Sequence, residues 1–215
     1  MAGSQIPGPL GIGSNVSEID KGTLPLTDTP SPAPVGMSMD SSAANPKGAT
    51  DNAEFSAQGL TLLKQVERLH LKPYNDQTGK EISDWIEGAT IGYGHLITKG
   101  EWDIYKNGIT APTADALFSR DLAPFVNTVR ASIKVRLKQN QFDALVIFAF
   151  NIGPDAFSGS SVVALINDTK AHTQYKNLEA AWKAWNKSQG KVMPGLTNRR
   201  QCEWSIYSQG IYSGW

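Results

Sequence analysis

Residues 67–76 read ERLHLKPYND, and after Gly79 and a ten-residue interval residues 90–96 read TIGYGHL. From Tyr74 to Leu96 the chain is rich in glycine and in β-branched or aromatic residues, with Gly79 and Gly88 as breakers, a composition that predicts a small twisted hairpin sheet. Just upstream, Ser56 is placed to cap a helix. Its apolar residues Leu60, Leu63 and Val66, with Leu62 and Leu69 beside them, follow a 3.6-residue period that stops near Pro73. Glu67 therefore falls in the last turn of a half-buried helix, and Asp76 follows nine positions later on a polar turn.

Downstream the pattern turns helical again. Ala116, Leu117, Leu122, Phe125, Val126 and Val129 recur at helical spacing from Thr113 onward, and Leu137 to Ile152 is apolar enough for a buried central helix. Leu178–Trp185 and Asn198–Tyr207 predict further helices. The expected fold class is α+β, mainly helical, with a small β lobe interrupting a helical body.

Residues 1–54 contain no Phe, Tyr or Trp, and residues 1–50 hold seven Gly and seven Pro, so this part reads as a Pro/Gly-rich flexible extension. The catalytic or binding unit is expected at 55–215, long enough for one domain with a cleft. The extension carries six acids and two bases and the remainder fourteen acids and eighteen bases, so the domain is mildly cationic within a chain of zero formal charge. That suits an anionic polymer such as cell wall and falls short of the basic stripe of a nucleic-acid binder. The single Cys202 excludes an intramolecular disulfide. No apolar run approaches the ~18 residues of a membrane span, and no ordinary signal peptide is visible. A protein made in the cytoplasm would then need another machine, or a membrane lesion, to reach a wall in the periplasm or outside the cell.

Breaking a glycosidic bond requires a proton donor for the leaving oxygen and a second carboxylate that attacks the sugar or directs a water at it. Glu67 and Asp76 have these identities. A glutamate at the apolar edge of a helix end is partly desolvated, which favours its protonated form. Thr90 adds a hydroxyl able both to accept from and to donate to one water. Glu81, Asp84 and Glu87, in the interval before Thr90, are rival second carboxylates.

The spacing Glu67-x8-Asp76, then Gly79, Thr90-Ile91-Gly92-Tyr93-Gly94-His95-Leu96, Gln139-Asn140-Gln141-Phe142-Asp143-Ala144-Leu145, Phe148-Ala149-Phe150-Asn151-Ile152-Gly153, and Pro194-Gly195-Leu196 with Arg199-Arg200 resembles the phage-type lysozymes of glycoside hydrolase family 24. The likeness spans about residues 56–210. It implies a two-lobed lysozyme-like fold flanking a cleft, and a monomeric muramidase that cuts peptidoglycan between N-acetylmuramic acid and N-acetylglucosamine without a cofactor. On this carry-over Glu67 is the general acid, Asp76 and Thr90 hold the attacking water, Leu96, Phe150 and Asn151 line the saccharide groove, and Arg199 lies near Glu67. His95 pairs with Asp121 across the lobes. Many relatives have a far shorter interval before the matching threonine. An even insertion at a hairpin tip preserves the alternation of faces, so Thr90 is still expected to face the cleft. The opening of the chain resembles the Pro/Gly-rich starts of some proteins of bacterial contractile secretion systems, which adds a secretion apparatus or an immunity protein to the expected partners.

The bland alternatives are structural. Glu67 alone would be a solvated helix residue, Asp76 a turn-former, Thr90 a strand residue and the six tryptophans packing, with Trp85 the one best placed to touch substrate. His70, His95 and His172 are too scattered for a metal site. Two rival functions remain, an inactive peptidoglycan-binding module on the same fold and a secretion-linked adaptor that works through the extension.

Overall fold

The computed structural model describes residues 53–215, so the Pro/Gly-rich extension up to residue 52, and the delivery role attached to it, lie outside the described residues. Helix α1 (Ala57–Glu67) begins where the Ser56 side chain accepts a hydrogen bond from the Gly59 N–H. Gly59, Leu63 and Glu67, four apart, share its buried face with Leu62. The helix is shorter than its sequence suggests. Arg68 turns to φ 59°, His70–Asn75 form strand β1, and Leu69 and Leu71 are left exposed. Pro73 lies inside β1, where the register shifts between His70 and Tyr74, and keeps the residue before it in extended backbone.

Strand β1 pairs antiparallel with β2 (Ala89–Gly92), which pairs with β3 (His95–Leu96), placing Thr90 between Tyr74 and Leu96. The residues before β2 do not lengthen the hairpin tip as the sequence suggests. They fold back on β1, where Asn75 N donates to Lys80 O at 2.9 Å, Ile82 N donates to Pro73 O at 3.0 Å, and Glu81 bridges to Tyr74. Trp85 anchors this return, its indole N–H donating to Ile97 O at 2.9 Å. Ile82, Trp85 and Ile86 thereby cover a small core of Ala89, Ile91, Ile97, Tyr105 and Leu117. The facing of Thr90 rests on its ladder with Tyr74 rather than on an even count of inserted residues.

A 3-10 turn (Lys99–Glu101) and α2 (Trp102–Tyr105) lead to α3 (Ala111–Ser132), capped by Thr110 with Pro112 in its first turn. Helix α3 contacts β2 and β3 and also α4 (Gln139–Ile152) and α5 (Pro154–Ser158), so it links the sheet to the helical body. Helix α4 is buried on all sides from Phe142 to Phe150 and packs against α1, α3, α5 and α8 (Pro194–Gln209). Between them lie α6 (Ser161–Asn167), α7 (Leu178–Lys183) and a short ribbon of β4 (Lys187–Ser188) and β5 (Lys191–Val192).

Asp143, fully buried in α4, ties distant parts of the chain together. It accepts from the Ser56 backbone N–H and hydroxyl, from Gln139 Nε2 and from the Tyr212 hydroxyl. Packing already begins at Ala53: Arg130 Nε donates to its carbonyl at 2.8 Å, and Gln139 Nε2 donates to that of Glu54 at 2.8 Å. Asp143→Ala strands several donors at once. Denaturant unfolding should show a loss of about 3 kcal/mol or more, the scale for charged hydrogen bonds removed from a buried site.

Candidate active site

The helical period that buries Leu63 carries Glu67 to the same interior face, and the break at Arg68 ends the helix directly after it. The carboxyl is 5% exposed and receives Arg199 Nη1 at 3.2 Å. Burial, the larger influence, pushes its pKa up, while the charge and hydrogen bond of Arg199 pull it down by less, so the net shift is upward. Arg199 is held in turn by α8, where its Nε donates to Glu203 Oε1 at 3.1 Å. Glu203 also accepts from Arg200 Nη2 at 2.8 Å and, through Oε2, from Trp182 Nε1 at 3.0 Å. Two acids and two arginines are thus interleaved, and each is 7% exposed or less.

Asp76 and Thr90 converge on Gly88. The Asp76 N–H and the Thr90 hydroxyl both donate to the Gly88 carbonyl at 3.1 Å. Gly88 has φ 85°, and a Cβ there would lie 2.4 Å from Asp76 Oδ1. Only glycine provides that backbone and that space. Asp76 Oδ1 is buried without a hydrogen-bond partner within the protein. The buried Tyr74 relates this turn to Glu67: burial first, then the charges of Glu67 and Asp76, raise its phenol to about 12. Both carboxylates therefore act on one ring.

The rival acids are placed differently. Glu81, Asp84 and Glu87 are exposed, with Glu81 3.6 Å from Lys72 and Asp84 accepting from the Ser83 hydroxyl. Of the residues implied for a saccharide groove, Leu96 is 44% exposed, whereas Phe150 is 6% exposed and stands edge-on to Phe118 and Phe125 in the core. Asn151 is half-buried and accepts from Arg200 Nη2 at 2.7 Å. His95 Nδ1 lies 2.8 Å from Asp121 Oδ2, which joins β3 to α3. Trp85 is committed to the core of the β lobe. Among the described residues no three His, Cys, Asp or Glu side chains are grouped as metal ligands.

Sequence reasoning did not find Glu203, Arg200 or Tyr74 as parts of this site. Glu203 stands four residues after Arg199, a helical ion-pair spacing that was available as a signal. The role of Gly88 in seating Asp76 had no local signal beyond the glycine itself.

Residues 64–203 match the family model described as phage lysozyme. The chain is 38% identical over 157 residues to an endolysin of Bacillus phage PZA, covering 73% of this chain and 56% of that protein. It is 35% identical over 159 residues to an endolysin of Salmonella phage P22, covering 72% of this chain and 97% of that one. Among solved structures, the muramidase domain of SpmX from Asticaccaulis excentricus aligns with a TM-score of 0.57 and 32% identity, covering 74% of this chain and 99% of that chain. Among the described residues no helix is long and apolar enough to cross a membrane. With a matching family model over most of the domain and relatives matched along nearly their whole length, the chain belongs to the phage lysozyme family.

Proposed function

We propose that this protein hydrolyses the β-1,4 bond between N-acetylmuramic acid and N-acetylglucosamine in peptidoglycan. Glu67 donates its proton to the glycosidic oxygen as the bond to the anomeric carbon breaks. Asp76 and the Thr90 hydroxyl hold a water that attacks that carbon from the opposite face. Asp76 receives the proton this water loses, and the anomeric centre inverts. Leu96 flanks the sugar-binding groove, and Asn151, set by Arg200, stands at its inner edge. The observation that carries the reading is the buried Glu67, whose desolvation favours the protonated form that a general acid needs.

The protein acts on glycan strands of the wall, in the periplasm or outside the cell. Any export machinery would engage the segment before the domain, while hydrolysis resides in the domain. An inactive wall-binding module lacks support from the site, because Glu67 and the Asp76–Thr90 turn are both assembled.

Purified peptidoglycan treated with the natural protein should release fragments with reducing N-acetylmuramic acid ends, and Glu67→Gln should lower the rate at least ~100-fold, the scale of general acid catalysis. Equal rates for the two proteins would remove Glu67 from its role. Anhydro ends would instead mark a lytic transglycosylase. Gly88→Ala should lower kcat by about tenfold or more by displacing Asp76 while the circular dichroism stays native, a loss consistent with a misplaced reacting group. Removal of residues 1–52 should leave hydrolysis in the test tube unchanged.

The same burial sets a pH dependence of stability. Glu67 has a folded pKa above its unfolded value, so its favourable contribution is complete below the unfolded pKa and is lost as pH rises through the folded one. The Tm difference between Glu67→Gln and the natural protein should therefore move in favour of the variant as pH rises through that window. A Tm difference that is flat with pH would contradict the assignment.

A further inference from the structure

After the left-handed cap at Gly210 the chain turns back along α8. The Tyr212 hydroxyl bonds Asp143, the Gly214 carbonyl lies 3.6 Å from Cys202 Sγ, and the Trp215 ring sits 4.7 Å from the guanidinium carbon of Arg199. Three successive attachments thus bring an aromatic face onto the cation that is bonded to Glu67. Trp215 is half-buried and packs against the main core, so the ring is seated rather than loose. Arg199 Nη2 is buried and has no hydrogen-bond partner within the protein, so an aromatic face takes the place of water on this side of the guanidinium.

We propose that Trp215 is a positioning residue: lying on the Arg199 guanidinium, it covers that cation and shuts water out of its pair with Glu67. It touches neither the scissile bond nor the attacking water, and it acts on the acid through Arg199. The proposal deepens the muramidase reading and rests on it for its catalytic meaning. The groups that bear on Glu67 are few. Arg199 comes from α8, with Glu203 and Arg200 behind it, and Tyr74 of the β lobe feels the charges of both Glu67 and Asp76; Lys64 on α1 is turned to Asp115 at 2.7 Å.

Removing the ring exposes the pair while leaving Arg199 anchored, because its Nε bond to Glu203 is independent of Trp215. Water then relieves the burial that dominates at Glu67, and the acid should lose its proton at lower pH. A phenyl ring offers a similar face to the cation and should preserve the effect.

The test is a carbon-13 NMR titration of the side-chain carboxyls in the full chain, with Glu67 assigned by comparison with Glu67→Gln. In Trp215→Ala the Glu67 midpoint should fall by about half a pH unit or more, and in Trp215→Phe it should stay within about 0.2 of the natural protein, both within the range of burial effects. The basic limb of the kcat/KM profile should move with it. Trp215→Gln, which retains bulk without an aromatic face, should behave like Trp215→Ala and serves if that variant is unstable. An unchanged midpoint with a lower Tm would make Trp215 a packing residue and overturn the proposal. A raised midpoint would mean that Arg199 had drifted away, and a higher KM with an unmoved midpoint would make Trp215 a sugar platform; either result overturns it. The carboxyl titration needs no turnover, so a natural protein that releases no reducing ends would defeat the muramidase reading without deciding this one.

Discussion

The bond from Arg199 to Glu67 joins the first helix of the domain to the last, and it does so where both partners are buried. A lone buried carboxylate would carry a desolvation penalty of several kcal/mol, and a single arginine beside it would leave its own charge to satisfy. Alternation solves this. Glu203 lies between Arg199 and Arg200, so each buried charge faces an opposite one and the indole of Trp182 takes the remaining carboxylate oxygen. Burial of Arg200 lowers its pKa to about 10, which still leaves it a cation at neutral pH. Arg200 then reaches Asn151 at the end of α4 and the Trp185 carbonyl beyond α7, which extends the network into the helical body.

That network sets the protonation of Glu67 as well as the packing around it. Glu67 is kept dry enough to hold a proton above the ordinary carboxylate range, and its neighbouring cation is fixed by other acids rather than by Glu67 alone. The β lobe follows a different rule. Asp76 and Thr90 are set by one glycine carbonyl, and the residues before Gly88 form a braced return pinned by Trp85. A turn needing positive φ and no Cβ depends on what precedes it, so packing of Trp85 against the lobe core supports the position of Asp76 beside Gly88.

Much of the fold was legible from periodicity. The buried central helix, the long helix after Thr113 and the sheet around TIGYGHL each carry an unambiguous period or breaker. The end of α1 was misplaced because Leu69 continues the apolar count while the backbone has already turned at Arg68, and Pro73 proved to be a strand residue at a register shift rather than a helix stop. The interval before Thr90 was read as a longer hairpin tip, since alternation says nothing about a segment that folds back on its own strand. Phe150 was drawn toward a groove by resemblance, whereas its rings of contact lie in the core.

The order of residues alone determined that a glutamate would close an amphipathic helix, that an aspartate would follow on a turn, and that a threonine would lie in the next strand, because those facts depend on local spacing. What the tertiary structure decided was the company each one keeps. Glu67 owes its raised proton affinity to burial, held in check by an arginine 132 positions away, Asp76 owes its place to a glycine across a turn, and Trp215 lies over Arg199 because the chain doubles back along α8. Desolvation and charge pairing act through space, so no spacing along the chain can specify them.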